Sequence, residues 1–261
     1  MPRKRASNRA VSRTPAARAQ SSKGAPPALE HRIAKLDWQA LEAALWHDGY
    51  AHTRGLLTPA ECKQVVALYP REELFRSRVD MSRLRFGVGE YKYFARPLPD
   101  LIEELRQRLY ACLAPVATRM AEALANETTF PDTLDDYLAR CRRAGQTRAT
   151  PLLLRYTTGG YNRLHRDLYG DLVFPLQVTI ALSRAGRDYR GGAFLLLEDR
   201  AREQARAEAI ELDQGEMLIF PVRERPARGV RGIVRATMRH GVSRLLSGER
   251  FALGIIFHDA K

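Results

Sequence analysis

His165, Asp167 and His240 are the residues of this chain whose types and spacing best suit a metal ion. In an extended segment, side chains two apart point to the same face. The His-x-Asp pair within LLLRYTTGGYNRLHRDLYGD, placed on a strand edge, therefore aims an imidazole and a carboxylate at one point. His240 follows 75 positions on (240 − 165), in TMRHGVSRL. Arg250 comes ten after that (250 − 240), opening the apolar run RFALGIIF. Two imidazoles and one carboxylate on one face of an ion, with its other positions open, suit non-haem Fe(II). An arginine on the next strand can then hold the far carboxylate of a 2-oxoacid through a bidentate ion pair.

In this order, and with Tyr156 nine positions before His165, these residues resemble the 2-oxoglutarate- and Fe(II)-dependent dioxygenase superfamily over Leu152 to Asp259. YRGGAFLLLE (Tyr189 to Glu198) and QGEMLIFP (Gln214 to Pro221) look like the two strands that prolyl-hydroxylase-like members place between their ligands, with Gly191 and Gly192 at the turn. The C-terminal half as a unit looks most like a bacterial group described as oxygenases acting on damaged DNA. The resemblance implies Fe(II) on His165, Asp167 and His240. It also implies 2-oxoglutarate chelating that ion, with Arg250 and the Tyr156 hydroxyl at its distal carboxylate, O2 as oxidant and ascorbate as a candidate reductant. The implied activity is hydroxylation of a C–H bond with release of succinate and CO2, including oxidative dealkylation of damaged nucleic acid. AlkB-type dealkylases carry a second arginine six residues after the first, a position held here by Ile256. The ten-residue spacing from His240 to Arg250 is more like prolyl hydroxylases, so a protein (prolyl-type) or small-molecule hydroxylase is the alternative.

Each residue taken singly has a plainer reading. His240 alone reads as an ordinary strand-end histidine and Arg250 as a surface charge; only their order and spacing together favour a site. His165 to Leu168 copies the opening of the protein-kinase catalytic loop, but the Asn required there is replaced by Leu172, and the kinase glycine-rich loop and D-F-G are missing. Two non-enzymatic readings stay open. One is a cupin-like binding module with a structural metal, and the other a non-catalytic basic nucleic-acid-binding protein.

The formal net charge is +13, and Arg3, Lys4, Arg5, Arg9, Arg13, Arg18 and Lys23 supply seven of it with no acidic residue before Glu30. Residues 1–29, rich in Ala, Ser and Pro, read as a disordered basic tail, because such a composition buries too little apolar surface to order itself. The remainder keeps +6 (13 − 7), a balance that suits a polyanion such as nucleic acid, or that simply reflects a high-arginine composition. Cys62, Cys112 and Cys141 are widely spaced and odd in number, which argues against a disulfide framework or a zinc site and fits a reducing, cytoplasmic setting. No apolar run approaches a membrane span. Oligomeric state is not legible.

The elements that must position the site divide the chain at about residue 150, giving an α+β fold with a double-stranded β-helix (jelly-roll) core and an N-terminal helical layer. Residues 30–149 read as helical. Leu36 to Asp48 has helical spacing, and Thr58-Pro59-Ala60-Glu61 is a capping box. Asp100 to Asn126 is a long helix that Pro115 should kink or split, and Asp132 caps a helix running through Arg143. Between Phe75 and Pro97, tyrosines alternate with basic residues around Gly87 and Gly89, predicting an exposed hairpin that is either a substrate lid or an extension of the core sheet. Its Tyr91 and Tyr93, with Asn162, are the candidate substrate contacts. Residues 150–261 form the core, with strands over 152–157, 176–183, 193–198, 209–213, 216–221, 233–240 and 251–257. Arg200 to Glu208 reads as a solvated connector, and Val222 to Arg235, with five arginines, as a basic loop at the site's rim.

Overall fold

In the computed structural model, which describes residues 27–261, helices begin where local side chains satisfy their free N–H groups. Helix α1 (Leu29–Ala34) buries Leu29, and helix α2 (Trp38–His47) is capped by Asp37, whose carboxylate accepts from the Ala40 N–H at 3.0 Å. Residues 1–26 of the tail expected over 1–29 lie outside the described residues. Helix α3 (Pro59–Ala67) has the predicted capping box. Thr58 Oγ1 accepts from the Glu61 N–H (3.2 Å), and the Glu61 carboxylate accepts from the Thr58 N–H (2.7 Å). Helix α4 (Asp100–Ala123) is not split at Pro115. Pro115 and Ala111, whose carbonyl loses its helical donor, both lie on the exposed face, where water can take the lost bond. Helix α5 (Leu134–Arg143) is capped by Thr133 rather than Asp132. No helix among the described residues is long and apolar enough to cross a membrane.

Two antiparallel sheets follow from the strand register. The strands are β1 (Ala51–Thr53), β2 (Phe75–Asp80), β3 (Gly87–Val88), β4 (Glu90–Phe94), β5 (Leu152–Thr157), β6 (Tyr161–His165), β7 (Leu176–Ala181), β8 (Tyr189–Gly191), β9 (Phe194–Arg200), β10 (Arg206–Ile210), β11 (Met217–Pro221), β12 (Glu224–Gly229), β13 (Gly232–Val242) and β14 (Leu245–Ile255). The major sheet runs β1-β11-β7-β14-β5-β4-β2, with β8 joined to β14; the minor sheet runs β10-β9-β13-β6-β3, with β12 joined to β13. Side-chain alternation along the major sheet divides the molecule. Leu153 of β5, Leu176, Val178 and Ile180 of β7, and Leu253 and Ile255 of β14 join the large core shared with the helices. Their neighbours Tyr156, Gln177, Thr179, Arg250, Ala252 and Gly254 line a cavity on the opposite face, which β6, β9 and β13 close. Both faces being covered, β7 and β14 read as near-continuous apolar runs.

Two stretches differ from the sequence reading, and in a third one of its two alternatives holds. The 75–97 hairpin is an extension of the major sheet, because β4 pairs with β5 and β2 with β4. The arginine-rich 222–235 stretch is not a loop. It is the β12–β13 hairpin, and its Arg225 is buried against Glu198 (2.6 Å) with further bonds to the carbonyls of Trp46 and Pro226. Part of the 200–208 connector is strand, since β10 pairs with β9 from Arg206 onward.

Candidate functional site

His165 and His240 face each other directly in the β6–β13 pair, so their rings meet with centroids 4.3 Å apart. Asp167 lies two residues past His165, just beyond the end of β6 rather than in it, and folds back to place Oδ1 3.5 Å from His165 Nε2 and Oδ2 3.2 Å from His240 Nε2. One ligand atom from each residue lies within 4.8 Å of the others. Ligands bound at about 2.1 Å to one ion at right angles would stand about 3 Å apart, so a small inward movement suffices to close on a metal. The ladder is irregular between His240 and Val242. A side chain at the intervening Gly241 would meet the Asn162 carbonyl at 2.7 Å, so only glycine lets β13 approach β6 this closely.

Hydrogen bonds set which atom each ligand offers. His165 Nδ1 lies 2.8 Å from the Arg163 carbonyl, which can only accept, so Nδ1 carries the proton and Nε2 is free to bind. Burial opposes ionisation of Asp167, but its interactions with His165 and His240 outweigh this and hold the carboxyl well below its usual range. Burial pulls His240 below its ordinary value despite Asp167, leaving a neutral imidazole. At His165 burial also pulls down, but the Asp167 interactions and the Arg163 carbonyl prevail and raise it. Tyr169 donates from its hydroxyl to Asp167 Oδ1 at 2.6 Å and accepts from the Tyr93 hydroxyl at 2.9 Å. Burial and the Asp167 charge push the Tyr169 phenol well above its usual range, so it remains a donor.

Across the cavity, Arg250 stands opposite Tyr156 in the β14–β5 register, 3% exposed, its guanidinium 5.7 Å from the Tyr156 ring centre and 5.9 Å from that of Tyr189. Arg250 Nε and the Tyr156 hydroxyl are both buried without a hydrogen-bond partner, and Arg250 has no carboxylate partner among the described residues. A buried guanidinium left unpaired is costly, and the remedy is an anion in the same space. The cavity holds about 380 Å³ and is lined by the three ligand residues, Arg250 and Tyr156. These residues fit a divalent metal chelated by a small dicarboxylate. Three neighbours surround the His240 ring: Phe194 stacks on it at 5.8 Å, Phe220 leans on it at 4.9 Å, and the Gln177 amide lies 3.3 and 3.5 Å from its two ring nitrogens.

The structure therefore brings His165, Asp167, His240, Arg250 and Tyr156 to one cavity, with Tyr91, Asn162 and Ile256 also in its wall. Tyr93 does not join them. Its ring is 7% exposed, packed edge-on against Tyr91 and under Arg76, so it has no free face for a substrate. Its hydroxyl instead begins the Tyr93–Tyr169–Asp167 chain. Sequence reasoning misses Tyr169 and Gln177. Tyr169 stands two residues after Asp167 and could have been found from that spacing; Gln177 sits mid-strand in an apolar run, and that one polar residue was the available signal.

Comparisons with known proteins agree in kind. A family model described as an oxygenase catalysing oxidative methylation of damaged DNA matches residues 89–260. An uncharacterised protein of Mycobacterium tuberculosis (strain H37Rv) is 52% identical over 181 residues, covering 67% of this chain and 78% of that protein. A prolyl hydroxylase from Trichoplax adhaerens, solved with a hypoxia inducible factor peptide fragment, superposes with a TM-score of 0.52 at 14% identity, over 88% of this chain and 92% of that one. An oxidoreductase of the 2OG-Fe(II) oxygenase family from Burkholderia pseudomallei gives 0.50 at 14% identity, over 87% and 94%. Likeness at this identity is a likeness of fold, the two-sheet jelly roll.

Proposed function

This chain belongs to the oxygenase family whose model spans residues 89–260, and from that premise we propose that it is an Fe(II)- and 2-oxoglutarate-dependent dioxygenase acting on an alkylated base of nucleic acid. The observation that carries the cosubstrate is the buried, unpaired Arg250 beside the unpaired Tyr156 hydroxyl, facing the triad across one cavity. When bound, iron with 2-oxoglutarate and O2 supplies the oxidation that turns a substrate C–H into C–OH, releasing succinate and CO2.

The protein's own groups do the positioning. Neutral His240, the Nε2 of His165 and ionised Asp167 would hold the ion. Arg250 would hold the distal carboxylate of the cosubstrate, with the Tyr156 hydroxyl as a further donor. The apolar walls from Leu152, Leu154, Phe194, Val242 and Ile256 keep water from the reacting C–H. Hydroxylation of an N-methyl group gives a hemiaminal that loses formaldehyde, so the chemistry suited to this site removes a methyl group from a damaged base. The family description and the +6 charge outside the basic tail support nucleic acid as the substrate class.

The test is turnover of a single-stranded oligonucleotide carrying one N-methylated base, with Fe(II), 2-oxoglutarate and O2. Succinate and formaldehyde should appear in equal amounts, and neither should form with His240→Ala, which should also fail to retain iron. A +16 Da product on a proline peptide, with the oligonucleotide untouched, would transfer the assignment to a protein hydroxylase.

A further inference from the structure

Nine large apolar side chains are exposed among the described residues, and five of them, Leu84, Phe86, Val88, Leu164 and Leu168, fall on two adjoining segments beside the cavity. The segments are tied together. Gly87 and Val88 of β3 pair with Asn162 and Tyr161 of β6, and the Arg163 N–H donates to the Phe86 carbonyl at 2.8 Å. The turn that carries Phe86 is braced as well. The Asp80 carboxylate accepts from the Ser82 N–H (2.9 Å) and hydroxyl (2.6 Å), the Phe86 N–H donates to the Met81 carbonyl (2.9 Å), and Arg85 sits at φ +60°, a conformation uncommon for a non-glycine residue. Phe86 is thus an aromatic ring left 47% exposed on a fixed turn, and it lines the cavity together with Leu164.

The unpaired charge on this rim has one sign. Arg85, Arg163 and Arg166 all line the cavity, next to His165 and Asp167, and none of the three makes a side-chain hydrogen bond or ion pair among the described residues. Elsewhere on the molecule arginines are mostly paired, as Arg155 is with Glu90 and Glu249, and Arg239 with Asp199. A partner for the rim must offer a flat apolar face, anionic groups on either side of it, and a group projecting far enough to reach the triad. A nucleic-acid strand with one base turned into the cavity has all three.

Resting on the nucleic-acid reading above, we propose that this rim grips a single strand, with Phe86 stacked on the base next to the one in the cavity and Arg163 and Arg166 on the flanking phosphates. Arg85 stands on the same turn and adds to the field that draws the strand in. Phe86 is a specificity-determining residue here, since the ring selects a strand that can present an unstacked neighbour.

The experiment uses the full chain and a single-stranded oligonucleotide in which 2-aminopurine adjoins one N-methylated base. Binding to the unaltered protein should change the 2-aminopurine fluorescence. Phe86→Ala should abolish that change and weaken binding about 5- to 150-fold, the span that corresponds to about 1–3 kcal/mol per stacked base, whereas Phe86→Trp should keep both. Arg163→Ala with Arg166→Ala should lower the salt dependence of binding by about 1.4 in slope, about 0.7 for each lost phosphate contact on a single strand. Residues 1–26 are unaltered in every variant, so these differences belong to the rim, and unchanged 2-oxoglutarate binding by Phe86→Ala would show the site intact. If the protein binds the oligonucleotide but these variants keep its affinity, salt slope and fluorescence, the rim is wrong while the nucleic-acid reading stands. No binding by the unaltered protein overturns both.

Discussion

On the proposed reading Arg250 and Tyr169 divide the work around Asp167 and its histidines, one serving the cosubstrate and the other the metal. Arg250→Lys keeps the charge but loses the planar fork, so iron should still bind while 2-oxoglutarate affinity falls about 10- to 150-fold, the equivalent of roughly 1.5–3 kcal/mol for a charged hydrogen bond. Titration of the metal-loaded protein with 2-oxoglutarate reads this directly, and an unchanged affinity would place the anchor elsewhere. Tyr169→Phe removes the 2.6 Å bond that orients Asp167 Oδ1 and leaves the ring in place. Loss of an outer partner of this kind costs about 10- to 100-fold in metal affinity, measurable with Mn(II) under anaerobic conditions; equal affinity for both proteins would mean that the carboxylate is oriented without it. That His165, Asp167, His240 and Arg250 come to one cavity was legible in the sequence because few residue types can bind a metal or a carboxylate and their order is constrained. Tyr169 and Gln177 contact Asp167 and His240, and many residue types could do so. Tyr93 misled because alternation gives the face of a strand but not what covers that face, here Arg76, Tyr91 and Tyr169.

At the scale of elements, the site exists because the major sheet keeps strict alternation over β5, β7 and β14, sending one set of side chains to the helices and the other to the cavity. Most strands were legible from composition and turns. β12 and its turn into β13 were not, because their arginines look like those of a solvated loop, and the burial of Arg225 depends on Glu198, 27 residues away in sequence. That Pro115 does not split α4 has a related reason: the orphaned Ala111 carbonyl faces solvent, and sequence alone does not say which way position 111 faces. Gly192 couples an element to the site. It sits at φ +65° in the turn before β9, and a Cβ there would lie 2.4 Å from Leu245 Cδ1 and 3.2 Å from Arg250 Cδ. Gly192→Ala should therefore strain the turn by about 1–2 kcal/mol and push Arg250 out of line. The expected result is 2-oxoglutarate affinity reduced on the order of 10-fold or more, since small misplacements of a clamp are costly, with iron binding retained. A normal 2-oxoglutarate titration curve for this variant would show that the turn and Arg250 move independently.

For the whole molecule, acid should loosen the fold from a point beneath the site rather than at its surface. His258 lies in the segment after β14, fully buried, its Nδ1 accepting from the Phe174 N–H at 3.2 Å, so the ring is neutral with its proton on Nε2. Burial, aided by the nearby Arg106 guanidinium, brings its pKa down to about 4 from the ordinary 6.5. The unfolded chain therefore takes up a proton at His258 at a higher pH than the folded one does. Stability from this residue is complete above about 6.5, drains as pH falls through the window from 6.5 to 4, and is gone below it. A difference of this size is worth about 3 kcal/mol across the window, at 1.36 kcal/mol for each pKa unit. His258 packs near Tyr169, with ring centres 6.1 Å apart, so its protonation would disturb the support of Asp167 before the sheets separate. Denaturant melts of the metal-free protein at pH 7.5 and 4.5 should show His258→Gln losing roughly 2–3 kcal/mol less than the unaltered chain over that interval. Subtracting one protein's loss from the other's removes what Asp167 and His165 contribute to both. Parallel losses in the two proteins would mean that His258 is already protonated, or solvated, in the folded state.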